Sequence, residues 1–346
     1  MSNETAQDQL ALRSLRNIKP QRVRLGDQPL ISKDYLGPGQ KLPLVMRPAR
    51  SDIDPVAWVR NNLAEIEAEL VKHGAILFRN FPLSSQTNFE AFARTISPEL
   101  MEYTERSTPR SEVAAGIYTS TEYPADQHIP LHNENSYSHV WPGKIYFFCV
   151  EPASTGGSTP LADSRQVYEA IDKRVRDRFI EKRVMYVRNY RSGVDLAWQT
   201  VFRTFDREEV ERYCAQVGMQ CEWRGDSLRT TQVRQAIAVH PITGETVWFN
   251  QAHLFHVSSL EKNLRESMRT LYENDELPRN SYYGDGTPIG ASELDEIRRA
   301  YVECAIDTAW QRGDLVLVDN MLTAHGRTPY QGPRKILVAM ADPCQQ

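Results

Sequence analysis

One short segment carries two side chains that can bind a metal together. His132 and Glu134 stand two residues apart in the sequence IPLHNEN, residues 129–135, after a short apolar approach. On an extended backbone, residues i and i+2 point to the same face, so the imidazole and the carboxylate are directed at one point. A His-x-Glu of this kind also occurs as a plain hydrogen-bonding pair at the surface. Its meaning therefore depends on a third ligand elsewhere in the chain.

A candidate third ligand, His325, lies far along the chain. It follows the strand-like segment Asp314–Asn320, at a position where a rigid scaffold presents functional groups. Two histidines and one carboxylate form the ligand face of non-haem Fe(II) oxygenases, which leaves positions open for O2 and a co-substrate. His132, Glu134 and His325 together predict such an iron site.

An arginine downstream of His325 is a candidate anion-binding residue. Arg334 precedes the apolar segment Ile336–Met340, which reads as a core strand. A guanidinium at the end of a core strand needs an anionic partner, and its planar fork fits a carboxylate at two points. Two interpretations stay open, a bound carboxylate ligand or a salt bridge at the rim of the sheet.

Two further clusters offer alternatives. His253 and His256 have the spacing of a ligand pair on a helix and would suit a zinc hydrolase, but no H-E-x-x-H frame surrounds them. We interpret both as structural or pocket-lining residues. Arg188 and Arg191, in the middle of the chain, belong either to a solvated loop or to a substrate-binding surface.

The composition excludes several other classes of function. A formal net charge of −4 and a pI near 6.1 argue against nucleic acid or an anionic membrane as the main partner. Five cysteines without a C-x-x-C pair, and a polar N-terminus without signal-peptide character, predict a reduced, cytoplasmic compartment. No apolar run is long enough to span a bilayer. No nucleotide-binding glycine loop and no G-x-S-x-G motif occurs.

Short apolar runs between turn residues predict a β-rich core with helices outside it. Asp54 and Pro55 can begin a helix whose apolar residues recur at helical spacing as far as Gly74. Further helices are expected near Ser85–Ile96, Arg165–Arg183, Glu208–Val217, Leu260–Tyr272 and Glu293–Ala305. Strands are expected at Ala75–Arg79, Ile145–Val150, Met185–Val187, Ala236–Val239, Thr246–Phe249, Leu315–Val318 and Ile336–Met340.

In combination, these motifs resemble the taurine-dioxygenase-type branch of the Fe(II)- and 2-oxoglutarate-dependent dioxygenases. The His-x-Glu, the distal histidine and the downstream arginine come in that family's order and approximate spacing. Gly156–Pro160, with the sequence GGSTP, resembles the family's Gly-Gly-x-Thr segment. The resemblance covers the chain from about Gly74 to the C-terminus. It implies Fe(II) and O2 at His132, Glu134 and His325, and 2-oxoglutarate held by Thr159 and Arg334.

The resemblance also implies an architecture. The fold class it predicts is α+β, mainly β, with a double-stranded β-helix (jelly-roll) core, flanking helices and a long insertion. We expect residues 1–40 to form an N-terminal arm and residues 41–346 to form a single dioxygenase domain. The insertion is placed at about residues 184–310.

A narrower resemblance concerns the substrate. Residues 106–110 (RSTPR), 118–124 (YTSTEYP) and 253–256 (HLFH) are similar to hydroxylases of nonribosomal-peptide pathways, such as the aspartyl β-hydroxylase type of syringomycin-like biosynthesis. This implies hydroxylation of an aliphatic carbon of an amino acid, free or tethered to a peptidyl carrier protein, in antibiotic biosynthesis. The alternatives are desaturation or cyclisation at the same iron site, or a jelly-roll binding module without oxygenase activity. The candidate substrate-binding residues are Arg106, Arg110, Arg188 and Arg191.

Two positions depart from the wider family. Glu134 stands where many relatives have Asp, which keeps the carboxylate that oxygenation needs and that halogenating relatives lack. Val338 stands where taurine dioxygenase-like enzymes place a second arginine for a sulfonate. The sequence therefore argues against a sulfonate substrate.

Overall fold

A computed structural model describes residues 29–102, 111–121, 123–190, 196–272 and 276–345, which form a strand-rich mixture of helices and strands. The strands are β1 Ile31–Asp34, β2 Leu44–Pro48, β3 Ala75–Phe78, β4 Glu112–Ala114, β5 Ile117–Thr119, β6 Ile129–His132, β7 Val140–Glu151, β8 Thr155–Gly156, β9 Leu161–Asp163, β10 Val184–Tyr190, β11 Gln220–Arg224, β12 Ser227–Arg234, β13 Ile237–Val239, β14 Thr246–Trp248, β15 Arg279–Tyr283, β16 Ala305–Ile306, β17 Leu315–Asp319, β18 Thr323–Arg327, β19 Tyr330–Gln331 and β20 Lys335–Gln345. The helices are α1 Pro55–Asn61, α2 Leu63–His73, α3 Gln86–Ile96, α4 Ser164–Ala170, α5 Lys173–Lys182, α6 Trp198–Phe202, α7 Arg207–Gln216, α8 Ala252–Phe255, α9 Lys262–Leu271 and α10 Ala291–Glu303, with a 3-10 turn at Val257–Ser259.

The largest sheet has eight strands in the order β1-β2-β3-β17-β7-β20-β5-β4. Its central strands alternate their side chains between two faces, as a pleated backbone requires. On one face, Phe78 and Phe148 pack in one apolar cluster with Phe89 of α3. On the other face, Phe147 and Val316 pack in a second cluster. The eight-stranded sheet is therefore buried on both faces.

A second sheet has four strands in the order β16-β9-β18-β6. It packs against the face of the eight-stranded sheet that carries Phe147 and Val316. Leu161 of β9 belongs to the same apolar cluster as Phe147 and Val316 of the large sheet. β18 runs antiparallel to both β6 and β9. The space between these two sheets contains the site described below.

Two predicted helices are each divided in the structure. The helix predicted from Asp54 to Gly74 is interrupted at Asn62, whose side-chain Nδ2 donates to the carbonyl of Trp58 at 2.7 Å. Local side-chain bonds of this kind compete with the helical ladder. The helix predicted over Arg165–Arg183 is divided because Asp172 caps α5 by accepting the N–H of Arg174 at 2.8 Å.

The region between β9 and β17 contains a third sheet with the strand order β11-β12-β10-β15 and the hairpin β13-β14. At the other end of the chain, Ile31–Asp34 pairs with Leu44–Pro48 at the edge of the eight-stranded sheet. Residues 1–28 of the predicted arm lie outside the described residues. None of the helices in the described ranges is long and apolar enough to cross a membrane.

Candidate metal centre

The three predicted metal ligands lie close together, two of them on paired strands and Glu134 in the turn that follows β6. β6 and β18 place His132 directly opposite His325, with 4.7 Å between their ring centroids. Nε2 of His132 lies 3.9 Å from Oε2 of Glu134, and Nε2 of His325 lies 3.7 Å from the same oxygen. One ligand atom from each side chain lies within 4.8 Å of the other two. Across the described ranges, this is the single cluster of three His, Cys, Asp or Glu side chains that can hold a metal ion.

Hydrogen bonding determines which nitrogen of His132 can bind a metal. Nδ1 of His132 lies 2.8 Å from the carbonyl oxygen of Pro130, and a carbonyl only accepts, so Nδ1 carries the hydrogen. Nε2 therefore keeps its lone pair for a metal, the usual arrangement for a ligating histidine. Glu134 is 4% exposed, and a carboxylate buried to this extent needs a cation. Two imidazoles and one carboxylate are a donor set that fits Fe(II).

A pocket beside these three residues contains the predicted anion-binding side chains. It is lined by both histidines, Thr159 and Arg334. Nε of Arg334 donates to the carbonyl of Gly157 at 2.8 Å, and Nη1 lies 3.4 Å from Oγ of Ser120. Within the described part of the chain, no carboxylate forms a salt bridge with Arg334. Burial, with a contribution from Arg327, lowers the pKa of Arg334 to about 10, as expected for a buried cation that lacks an anion.

The family follows from comparison with known proteins. Residues 40–340 match the taurine catabolism dioxygenase TauD, TfdA family. The chain belongs to this family. TauD/TfdA proteins are dioxygenases that use Fe(II), 2-oxoglutarate and O2, so the predicted enzyme class and its co-substrates are confirmed.

Individual relatives agree with this result. The chain is 42% identical over 279 residues to the dapdiamide synthesis protein DdaC of Enterobacter agglomerans, which covers 80% of this chain and 85% of DdaC. It is 30% identical over 287 residues to a clavaminate synthase-like protein of Arabidopsis thaliana, over 80% of this chain and 83% of that protein. Among solved structures, PvcB of Pseudomonas aeruginosa has a similar fold, with a TM-score of 0.53 at 15% identity over 92% of this chain and 93% of PvcB.

The Gly-Gly-x-Thr segment of this TauD/TfdA protein has a clear steric reason for its glycines. Gly156 has φ +69°, and a Cβ there would lie 2.1 Å from the carbonyl oxygen of Pro329. A Cβ on Gly157 would lie 3.0 Å from Cδ of Arg334. The two glycines therefore let the backbone approach closely enough for Gly157 to accept the hydrogen bond from Arg334.

Trp310, which contacts the pocket residue Thr159, is a residue that sequence reasoning missed. Its Nε1 donates to Oγ1 of Thr159 at 3.0 Å. An indole N–H can only donate, so the Thr159 hydroxyl accepts this bond and keeps its own hydrogen for a second partner. Nothing in the sequence around Trp310 marks it, because the contact is made only in the tertiary structure.

The aromatic and aliphatic wall of the pocket is formed by residues of the core strands. Phe147 and Val338 are buried strand residues, as expected, but both also line the pocket. The ring centroid of Phe147 lies 5.0 Å from that of His325. Val338 is 1% exposed and gives the pocket an aliphatic surface.

The structure describes only part of the predicted substrate-binding set. Arg188 lies on β10, is buried, and has its guanidinium carbon 4.8 Å from the ring centroid of Tyr190. Arg106, Arg110 and Arg191 lie outside the described residues. Their assignment to substrate binding stays a prediction.

The two histidines considered for zinc have other partners. His253 is buried, and its Nε2 donates to the carbonyl of Leu131 at 3.0 Å. Burial lowers the pKa of His253 to about 3, so the ring is neutral at physiological pH. Nδ1 of His256 accepts the N–H of Ser258 and so caps the 3-10 turn. In the described ranges, neither belongs to a cluster of metal-binding side chains.

Proposed function

We propose that this chain is an Fe(II)- and 2-oxoglutarate-dependent oxygenase that hydroxylates an aliphatic carbon of an amino-acid-derived substrate in natural-product biosynthesis. One observation carries the proposal: a single pocket is lined by two of the three clustered metal-binding side chains and by the partly buried Arg334. The similarity to DdaC supports the pathway class. We further propose that the two facing sheets are a jelly-roll core in one dioxygenase domain, residues 41–346, with an insertion at about 184–310.

In this proposal, the metal is held by His132, Glu134 and His325. The carbonyl of Pro130 fixes the tautomer of His132, so Nε2 is available without a proton transfer. Because His132 and His325 are paired across adjacent strands, their separation is set by the sheet. Bound Fe(II), together with 2-oxoglutarate, would supply the oxidising chemistry that transfers an oxygen atom from O2.

Arg334 and Thr159 would hold the far carboxylate of 2-oxoglutarate. The planar guanidinium can donate two parallel hydrogen bonds to one carboxylate. The negative charge of bound 2-oxoglutarate would compensate for the free-energy cost of burying the guanidinium charge. The Thr159 hydroxyl would donate its hydrogen to the same carboxylate, because Trp310 already occupies it as an acceptor. Phe147 and Val338 would keep water away from this end of the co-substrate.

The substrate would approach from the side of the third sheet. On β10, Arg188 shares a strand face with Tyr186, whose hydroxyl accepts the N–H of Gln251 at 2.8 Å. Gln251 in turn donates to the carbonyl of Asn133, the residue between His132 and Glu134 in the sequence. Arg188 is therefore our candidate for the α-carboxylate of a free substrate. For a carrier-tethered substrate, basic residues at the pocket mouth would instead attract an acidic carrier protein.

The test is a comparison of substrates at matched concentration. Free amino acids, their carrier-bound thioesters and small sulfonates are incubated with enzyme, Fe(II), 2-oxoglutarate and O2, and products are followed by mass spectrometry and succinate release. We expect an amino-acid-derived compound to gain one oxygen atom. Loss of two hydrogens would indicate desaturation or cyclisation, and absence of succinate with every compound would favour a binding module. A sulfonate that reacts faster than every amino acid would contradict the substrate class.

A further inference from the structure

The loop that carries Glu134 is held by side chains and not by a strand ladder. β6 ends at His132, and Asn135 has φ +53°, so the chain leaves the sheet on either side of Glu134. Buried peptide groups at such a point need other hydrogen-bond partners. A distant asparagine, Asn320, supplies them.

The side chain of Asn320 binds both backbone groups of Glu134. Its Oδ1 accepts the N–H of Glu134 at 2.7 Å, and its Nδ2 donates to the carbonyl of Glu134 at 2.9 Å. Nδ2 also donates to the carbonyl of Pro142 at 2.8 Å. In the reverse direction, Nδ2 of Asn133 donates to the carbonyl of Asn320 at 2.7 Å. Asn320 is fully buried, so water does not compete for these bonds.

Asn320 also belongs to the turn that leads to His325. This turn joins β17 to β18 and is fixed by Asp319, whose Oδ1 accepts the N–H groups of Met321 and Leu322 at 3.0 Å each. A single residue thus connects the backbone of Glu134 to the hairpin that presents His325. The relative positions of two proposed metal ligands depend on this connection.

We propose that Asn320 is a positioning residue for the metal centre, with Gln251 supporting the other side of the same loop. Nε2 of Gln251 donates to the carbonyl of Asn133 at 2.7 Å. The inference rests on the proposed function, because it assumes that Glu134 binds the metal. Asn320 is neither a member of the metal-binding cluster nor a lining residue of the pocket. It acts by holding the Glu134 backbone where its carboxylate meets both imidazoles.

Metal affinity tests this role independently of turnover. Mn(II) binding to the full-length protein is titrated by the loss of the free Mn(II) signal in electron paramagnetic resonance, for wild type, Asn320→Ala, Asn280→Ala and His132→Ala. Asn280 is a matched control, since it is buried and its Oδ1 accepts the N–H of Val257, but it makes none of the hydrogen bonds that hold the Glu134 loop. We expect Asn320→Ala to raise the Mn(II) Kd by about 10- to 100-fold, as for other partners of ligating groups. Asn280→Ala should change it about twofold or less.

The possible outcomes distinguish a failure of the positioning role of Asn320 from a failure of the proposed metal site. Equal Mn(II) Kd values for Asn320→Ala and Asn280→Ala would overturn the positioning role, provided that His132→Ala has lost the metal. Wild-type affinity in His132→Ala would instead overturn the proposed metal site. If Asn320→Ala shows no cooperative thermal unfolding, the Mn(II) titration is made with Gln251→Met instead. A Mn(II) Kd of Gln251→Met equal to that of Asn280→Ala would then overturn the inference. The ligand-field spectrum of bound Co(II) gives a second readout, which should shift in Asn320→Ala and stay unchanged in the control.

Discussion

Removal of Arg334 is expected to weaken 2-oxoglutarate binding and to leave metal binding intact. The guanidinium lines the pocket, is largely buried, and has no carboxylate partner among the described residues. A hydrogen bond to a charged group contributes about 1.5–3 kcal/mol. Arg334→Ala should therefore raise the KM for 2-oxoglutarate by roughly 10- to 100-fold. At saturating 2-oxoglutarate, kcat should stay near the wild-type value.

The assay is succinate release as a function of 2-oxoglutarate concentration, with Mn(II) titration on the same samples. Arg334→Lys keeps the charge but loses the fork, so its KM should lie between wild type and Arg334→Ala. Arg312→Ala is the matched control, because Arg312 is exposed and donates to the carbonyl of Val150 away from the pocket. An unchanged KM in Arg334→Ala would refute the assignment and require another cation for the co-substrate. A KM increase of similar size in Arg312→Ala would show that the effect is not local.

Three further results are expected. Trp310→Phe removes the donor to Thr159 and should raise the 2-oxoglutarate KM by about 2- to 10-fold in the same assay, and an unchanged KM would contradict the role of Trp310. His253 has a folded-state pKa of about 3 against about 6.5 when unfolded, so the unfolded state binds the extra proton and stability falls as the pH decreases below 6.5. This contributes a loss of about 2 kcal/mol between pH 7 and pH 5, measurable by urea unfolding, and His253→Gln should remove that part of the pH dependence. Arg79 forms a buried ion pair with Asp314 at 2.7 Å, so Arg79→Met should reduce the free energy of unfolding by about 3–5 kcal/mol, whereas the exposed Arg50→Met should change it little.

Two of the three metal ligands, His132 and Glu134, could be predicted from their local spacing in the sequence. The expectation of an extended backbone through His132 and Glu134 was wrong, because β6 ends at His132 and Glu134 follows in a turn. The two side chains still converge, with Nε2 of His132 lying 3.9 Å from Oε2 of Glu134. The arrival of His325 opposite His132 depends on the pairing of β6 with β18, which sequence spacing does not determine. That pairing could be anticipated only from the family resemblance.

The parts that could not be predicted depend on tertiary hydrogen bonds. Trp310 bonds to Thr159, and Asn320 bonds to Glu134, across long sequence separations that leave no periodic pattern. The break at Asn62 is a local effect of one side chain on the helix ladder, against a continuous apolar stripe that favours a single helix. Apolar periodicity predicts which face of an element is buried, but not which polar side chain holds it in place.

The central claim is that Fe(II) and 2-oxoglutarate bind together in the pocket formed by His132, Glu134, His325 and Arg334. Anaerobic titration of the full-length protein with both compounds tests it most directly, because a 2-oxo acid chelated to Fe(II) gives a weak visible charge-transfer band. We predict that wild type develops this band, that His132→Ala and His325→Ala do not, and that Arg334→Ala develops it only at higher 2-oxoglutarate concentration. A band of wild-type intensity in either histidine variant, or no band in the wild-type protein, would contradict the account.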